Sequence, residues 1–279
     1  MWYQYIIGCA AVLGGLVLLI WKFELRIKWA LPWALVISPI SVWLAYRFTA
    51  PLPWMTLFSQ IFLAFMLSIA ASAVVVASLF FRDPRRTPPA DARTILSPAD
   101  GKIIYIKSLE GDWFPIAVKK GKDIPLAEFL GESFPLEHGF QIGIMMSYLD
   151  VHVNRAPISG KVQRIKRLPG SFRSLKHMDS LLENERVFSI ISGPEINMGI
   201  VQIASRLVRR IVPFIKEGDI LSQGDRIGMI RFGSQVDLII PIRDGLTIIA
   251  KVGDYVKAGL SVIARYEDKS SFTLISTSW

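Results

Sequence analysis

Gly233 and Ser234 form the smallest residue pair in which a hydroxyl can reach the preceding carbonyl carbon. Glycine has no Cβ to obstruct the approach, so the Ser234 oxygen can attack the Gly233 carbonyl in an N-to-O acyl shift. The ester so formed can undergo β-elimination, and hydrolysis of the product leaves a pyruvoyl group at a new N-terminus made from Ser234. A hairpin turn is the other common use of such a pair. Two further residues complement the nucleophile. His152, in Asp150-Val151-His152-Val153-Asn154-Arg155-Ala156-Pro157, can move protons near neutral pH, and Asp100, in Ser97-Pro98-Ala99-Asp100-Gly101, can orient a base or replace it. An Asp-Gly turn and a core histidine are their structural alternatives. His138 and His177 lie in polar stretches and take no role, and three histidines without HxxxH spacing do not point to a metal.

Each of these three residues sits beside a short strand-like run. From Ile95 onward, β-branched stretches are separated by Gly, Pro and Asp, for example Gln141 to Met146, Gly160 to Ile165, Val187 to Ile191, Gly199 to Ala204 and Gln235 to Ile240. Helical periodicity is confined to Leu126–Leu130 and Ala204–Arg210, so this part is predicted mainly β. Two internal echoes suggest paired hairpins. Lys216-Glu217-Gly218-Asp219 resembles Lys251-Val252-Gly253-Asp254, and Pro98-Ala99-Asp100-Gly101-Lys102 resembles Pro157-Ile158-Ser159-Gly160-Lys161. Their arrangement is similar to the barrel-sandwich of biotinyl and lipoyl carrier domains, without a carrier lysine motif.

The N-terminal part is of another kind. The 279 residues are 52% hydrophobic with a mean hydropathy of +0.41, more apolar than soluble proteins, and the excess lies before residue 82. Tyr5 to Trp21, Trp29 to Tyr46 and Trp54 to Phe81 are three apolar runs of bilayer-spanning length, flanked by tryptophan and tyrosine. Pro32 and Pro39 interrupt the second, which is expected to kink or to form a short hairpin with the first. Residues 1–81 thus read as a membrane anchor of about three helices, 82–94 as a basic, proline-rich linker, and 95–279 as the catalytic domain. Lys22, Arg26 and Lys28 after the first run, and Arg82, Arg85 and Arg86 after the third, fall on one side, which the positive-inside rule makes cytoplasmic. A cleaved signal peptide fits poorly, because no basic segment precedes the first run and no small-residue cleavage site follows it.

The net charge of +9 favours an anionic partner, and beside so apolar an anchor that partner is lipid and not nucleic acid. The linker arginines stand where acidic headgroups would meet them. Trp113, Phe114 and Pro115 read as an apolar turn able to dip into the bilayer, or as buried aromatics. The single cysteine, Cys9, excludes an intrachain disulfide.

Phe81-Arg82-Asp83-Pro84, Ser97-Pro98-Ala99-Asp100-Gly101-Lys102, the Asp150–Pro157 segment, Asn184-Glu185-Arg186 and Phe232-Gly233-Ser234 resemble, in order and spacing, the phosphatidylserine decarboxylase proenzyme family, in its short bacterial and archaeal branch. The resemblance implies self-cleavage between Gly233 and Ser234, a covalent pyruvoyl cofactor from Ser234, and associated α and β chains. It implies a Schiff base between that ketone and the serine amine of phosphatidylserine or archaetidylserine, with the iminium as electron sink for decarboxylation. By the same analogy Asp100 serves maturation and His152 serves proton transfer. Longer members carry two histidines three apart, and here the second position is Arg155. The base for Ser234 therefore stays open between His152, serving both steps, and Asp100, acting directly. The flank Leu-Gly-Ser-Thr of the family is Phe-Gly-Ser-Gln here. Homo-oligomerisation is left open. The alternative is a non-enzymatic, membrane-anchored barrel-sandwich adaptor, which would stay whole and normally carries long heptad hairpins that this chain lacks.

Overall fold

A computed structural model of the chain describes residues 2–22, 27–49, 56–110, 113–119, 122–131, 134, 136–147, 149–170, 184–204, 211–230 and 234–266. Contacts divide it into two units, Met1–Ser78 and Leu79–Trp279. The first unit holds α1 (Trp2–Lys22), α2 (Ile27–Thr49) and most of α3 (Leu57–Phe80), three helices long and apolar enough to cross a membrane. Their shared seam contains Val12, Leu16, Ile37, Val42 and Ala64, while Trp21, Leu18, Phe58 and Val74 remain on the outside. Small residues bring the helices close: a Cβ at Gly15 would lie 2.5 Å from the Phe65 ring. Hydroxyls in apolar surroundings bond to their own helix or to a neighbour. Ser68 donates to the Ala64 carbonyl, Ser72 to that of Ser68, and Trp33 Nε1 to Ser72 Oγ at 3.0 Å.

The second apolar run neither breaks nor turns back. α2 continues through Pro32 and Pro39 for 23 residues, about 34 Å at 1.5 Å per residue. Prolines are tolerated in such membrane helices, and the Tyr5 hydroxyl ties α1 to α2 beside the second one, donating to the Pro39 carbonyl at 2.9 Å.

The second unit is mainly β, as the β-branched runs predicted. An antiparallel ten-stranded sheet runs in the order Ile220–Leu221, Gly160–Leu168, Arg186–Ser192, Asn197–Ala204, Ser234–Pro241, His138–Met146, Gly101–Glu110, Trp113–Lys119 and Lys122–Pro125. Tyr255–Val256 pairs on to the Gly101–Glu110 strand as the tenth member. Alternation along the central strand divides the core. Val236, Leu238 and Ile240 join Ile103, Ile142, Ile144, Ile200 and Ile263 on one face, and Ile239 joins Leu109, Phe129, Phe188 and Val201 on the other. Each fully buried aliphatic side chain of these layers contributes about 1.5–3 kcal/mol. The predicted helix Leu126–Leu130 is present. Ala204 instead ends a strand, and residues 205–210 lie outside the described residues. Trp113-Phe114-Pro115 is not a turn: these residues open the Trp113–Lys119 strand, in keeping with the strand preference of aromatic and β-branched residues.

The two sequence echoes are one structural repeat. Gly218 and Gly253 take φ of +94° and +100°, and the Asp219 and Asp254 carboxylates accept the Lys216 and Lys251 N–H groups at 2.9 and 2.8 Å. Each turn then clasps the strand opened by the other echo. Gly218 N–H donates to the Val162 carbonyl and Gly253 N–H to the Ile103 carbonyl, both at 2.8 Å. This places Asp100 and Ser159 at corresponding points. Asp100 Oδ1 accepts the Ala258 N–H at 2.7 Å and Ser159 Oγ accepts the Gln223 N–H at 2.9 Å.

Candidate active site

Ser234 opens the strand at the middle of the large sheet. Its backbone is opposite Met146 on one side and Ala204 on the other. Arg231, Phe232 and Gly233 lie outside the described residues. The Ala204 row is buttressed from Asn184-Glu185-Arg186: Asn184 Nδ2 donates to the Ala204 carbonyl at 2.9 Å and the Ala204 N–H donates to the Glu185 carbonyl at 3.0 Å. Position 234 is therefore held by main-chain bonds to two neighbouring strands.

Immediately before the undescribed tripeptide, Ile230 N–H donates to the His152 carbonyl at 3.3 Å. The chain thus runs beside the His152 backbone four residues before Ser234, although the two segments are far apart in sequence. A tight turn sets the imidazole. The Asp150 carboxylate accepts the Ser147 N–H at 2.7 Å, and the Asp150 carbonyl lies 2.8 Å from His152 Nδ1. A carbonyl only accepts, so Nδ1 carries the proton and Nε2 presents a lone pair. That Nε2 is buried and has no hydrogen-bond partner among the described residues. The Phe80 ring covers the imidazole with centroids 3.8 Å apart and planes 30° from parallel, and both side chains are wholly buried. Burial pushes the His152 pKa down to about 4, opposed by the Asp150 carbonyl and the Asp100 charge and aided by Arg82. At pH 7 the ring is neutral, with one acceptor nitrogen ready in a dry site.

Asp100 lies close enough to act on His152 by its charge, but its carboxylate is committed elsewhere. Arg86 grips it in bidentate fashion, Nη1 to Oδ1 at 2.5 Å and Nη2 to Oδ2 at 2.9 Å, and Ala258 N–H takes Oδ1 as well. Both side chains of this ion pair are less than a tenth exposed. Arg86 therefore does not face lipid headgroups. A buried carboxylate attracts the planar, five-donor guanidinium more strongly than a solvated surface can. Arg82 is tied down too. Arg82 Nη2 donates to the Leu149 carbonyl at 2.8 Å, one residue before the Asp150 turn.

Arg155, at the position of the second family histidine, is a buried brace. Its Nη1 donates to the Gly224 carbonyl at 2.9 Å and its Nη2 to Asp83 Oδ1 at 2.8 Å and to the Pro84 carbonyl at 3.1 Å. Arg226 pairs with the other Asp83 oxygen. The segment from Phe80 to Arg86, read from sequence as anchor end and linker, is thus a strap folded into the second unit. Sequence reasoning missed this role for Phe80, Asp83 and Arg86. The one available signal was the concentration of aromatic, acidic and paired basic residues in a stretch that a mere spacer would not need. His138 is exposed on its strand, His177 lies outside the described residues, and no metal-binding cluster occurs among the described residues.

The chain is similar to proteins of one known family. The model of the phosphatidylserine decarboxylase family matches residues 75–264. A protein of Methanothermobacter thermautotrophicus named as an archaetidylserine decarboxylase proenzyme is 43% identical over 188 residues, 67% of this chain and 79% of its own. Phosphatidylserine decarboxylase proenzymes of Erythrobacter litoralis and Chlorobium limicola are 40% and 36% identical, over 78% and 80% of this chain and 80% and 89% of theirs.

Proposed function

Since the chain belongs to the phosphatidylserine decarboxylase family of carboxy-lyases, we propose that it cuts itself between Gly233 and Ser234 and then decarboxylates the serine headgroup of phosphatidylserine or archaetidylserine. The observation that carries the reading is the buried, unpartnered Nε2 of a neutral His152 on the segment hydrogen-bonded next to the Gly-Ser site. An orphaned acceptor in a dry interior costs free energy, and a catalytic role accounts for its being kept.

Of the two bases left open by the sequence, this geometry favours His152. Both oxygens of Asp100 are engaged by Arg86 and Ala258, whereas Nε2 is engaged by none of the described residues. His152 would take the Ser234 hydroxyl proton as oxygen attacks the Gly233 carbonyl and deliver it to the departing Ser234 nitrogen. Elimination then frees the Gly233 carboxylate, and hydrolysis releases that nitrogen as ammonia, leaving the ketone. Asp100 would serve maturation indirectly, by fixing Arg86 and the Ala258 turn.

The pyruvoyl group supplies a ketone for the headgroup amine and an electron sink for the pair left by CO₂. Loss of CO₂ from the zwitterionic headgroup consumes one proton overall, so His152, which rests without a second proton, would take one up during turnover and pass it to the former α-carbon. The Phe80 ring keeps bulk water from competing for that proton. The cut α chain would begin as a strand flanked on both sides by β-chain strands, so its ladder bonds hold the two chains together. With the basic flanks inside, the catalytic unit would face the cytoplasm at the inner membrane, and the adaptor alternative loses its ground.

The test is the intact mass of purified protein. Two fragments are expected, the smaller about 5 kDa by share of the 31.3 kDa chain and lighter than its serine-initiated peptide by the conversion to pyruvoyl. A single chain at 31.3 kDa in a preparation that turns over phosphatidylserine would refute the mechanism.

A further inference from the structure

A strand whose N-terminal peptide bond has been cut loses the covalent link that set its register, and the following inference rests on the cut proposed above. We infer that Tyr105, Gln141, Gln235 and Asp237 form a register clamp that holds the Ser234–Pro241 strand in place after self-cleavage. They act through the strand and are positioning residues.

Tyr105, Gly143 and Asp237 form one row across three neighbouring strands. Gly143 makes the row workable, because a Cβ there would lie 2.3 Å from the Tyr105 ring. The ring crosses that bare backbone, and its hydroxyl donates to Asp237 Oδ2 at 2.8 Å. Gln141 Nε2 donates to the same oxygen at 2.5 Å. Gln235 Nε2 donates to Asp237 Oδ1 at 2.7 Å and to the Tyr105 oxygen at 2.6 Å. All four side chains are buried, in the layer that otherwise holds Ile239, Val201, Ile203 and Phe188.

So polar a cluster is out of place in that layer unless it discriminates between pairings. A one-residue slip would turn Val236, Leu238 and Ile240 to the wrong face, and the apolar pattern alone forbids it. A two-residue slip keeps every face and most of the ladder, yet moves the terminus by about 7 Å, two strand residues. Only the polar row penalises it. Ile239 would then stand where Asp237 stood, and the Tyr105 hydroxyl and Gln141 amide would meet hydrocarbon instead of a carboxylate. Before the cut, the covalent link to the preceding chain opposes that slip as well. Afterwards the clamp must, if the reactive terminus is to stay near His152.

The test is Tyr105→Phe, which removes one hydroxyl and keeps the ring, with Gln141→Met as a second variant. Each is made in the full-length chain and again on an uncut Ser234→Ala background, and hydrogen exchange of the 235–241 amides is read by mass spectrometry. In cut protein the exchange should rise by about tenfold or more, the equivalent of one net hydrogen bond, with kcat falling more than KM changes. On the uncut background it should hardly change. Equal acceleration in both backgrounds would make these residues ordinary core members and overturn the clamp, as would unchanged exchange in cut protein. A wild-type chain that is never cut would be seen directly in its mass, and would remove the premise rather than the clamp.

Discussion

Replacing Phe80 with alanine tests whether the strap tunes the histidine. Its ring packs against His152 with centroids 3.8 Å apart and both are wholly buried, so it covers one face of the imidazole. The His152 pKa of about 4 stands well under the ordinary value of 6.5, a difference of about 3 kcal/mol. The first cause is burial, so admitting water should return much of it. The sign follows from the depressed folded value. Unfolded chain takes up the proton first as pH falls, so His152 contributes stability that is complete above pH 6.5 and is lost between about 6.5 and 4. In Phe80→Ala that acid-sensitive window narrows, while the cavity itself costs about 3–5 kcal/mol at neutral pH. The assay is the pH dependence of kcat/KM alongside melting curves from pH 4 to 8. The acid limb of activity should move from near 4 upward toward 6.5 in Phe80→Ala, and should move little in Phe80→Leu, which keeps the site apolar. A limb that stays where it is in a folded Phe80→Ala enzyme would refute the shielding argument, and with it the assignment of that limb to His152.

The Asp100–Arg86 pair makes a second case. Asp100→Asn alone leaves a buried guanidinium without its counter-ion and should cost about 3–5 kcal/mol in a denaturation series. Asp100→Ser with Arg86→Met copies the neutral cap that Ser159 provides in the other half of the repeat and should recover most of that loss. If the double variant folds and still cuts itself, measured by mass, Asp100 acts through structure; a folded double variant that stays whole would make it a direct participant. Truncation separates anchor from strap. A chain beginning at Leu79 keeps Phe80, Arg82, Asp83 and Arg86 and should process in detergent, whereas one beginning at Thr87 leaves Asp100 and Arg155 without their ion-pair partners and should not. Equal processing of the two by gel or mass would show that the strap is dispensable.

Much of the plan follows from local chemistry alone. Three apolar runs bounded by aromatics become helices because in hydrocarbon each backbone group must bond within its own segment, and the short β-branched stretches become strands. The Gly-Asp echoes become equivalent turns because the same residues demand the same positive-φ backbone. Gly233-Ser234, His152 and Asp100 were legible as reactive types, since an unhindered carbonyl beside a hydroxyl, an imidazole and a carboxylate are visible at any position. What each reactive group touches was not legible. Arg86 and Asp100 are 14 residues apart, Arg155 and Asp83 are 72 apart, and Tyr105 and Asp237 are 132 apart. Composition reads the linker as a charged spacer because charge in sequence carries no record of burial. Only the folded sheet with the strap laid on it, by excluding water and bringing distant segments together, turned Arg86 and Arg155 inward, dried His152, and lined up a glycine so that a tyrosine could reach across it to a buried carboxylate.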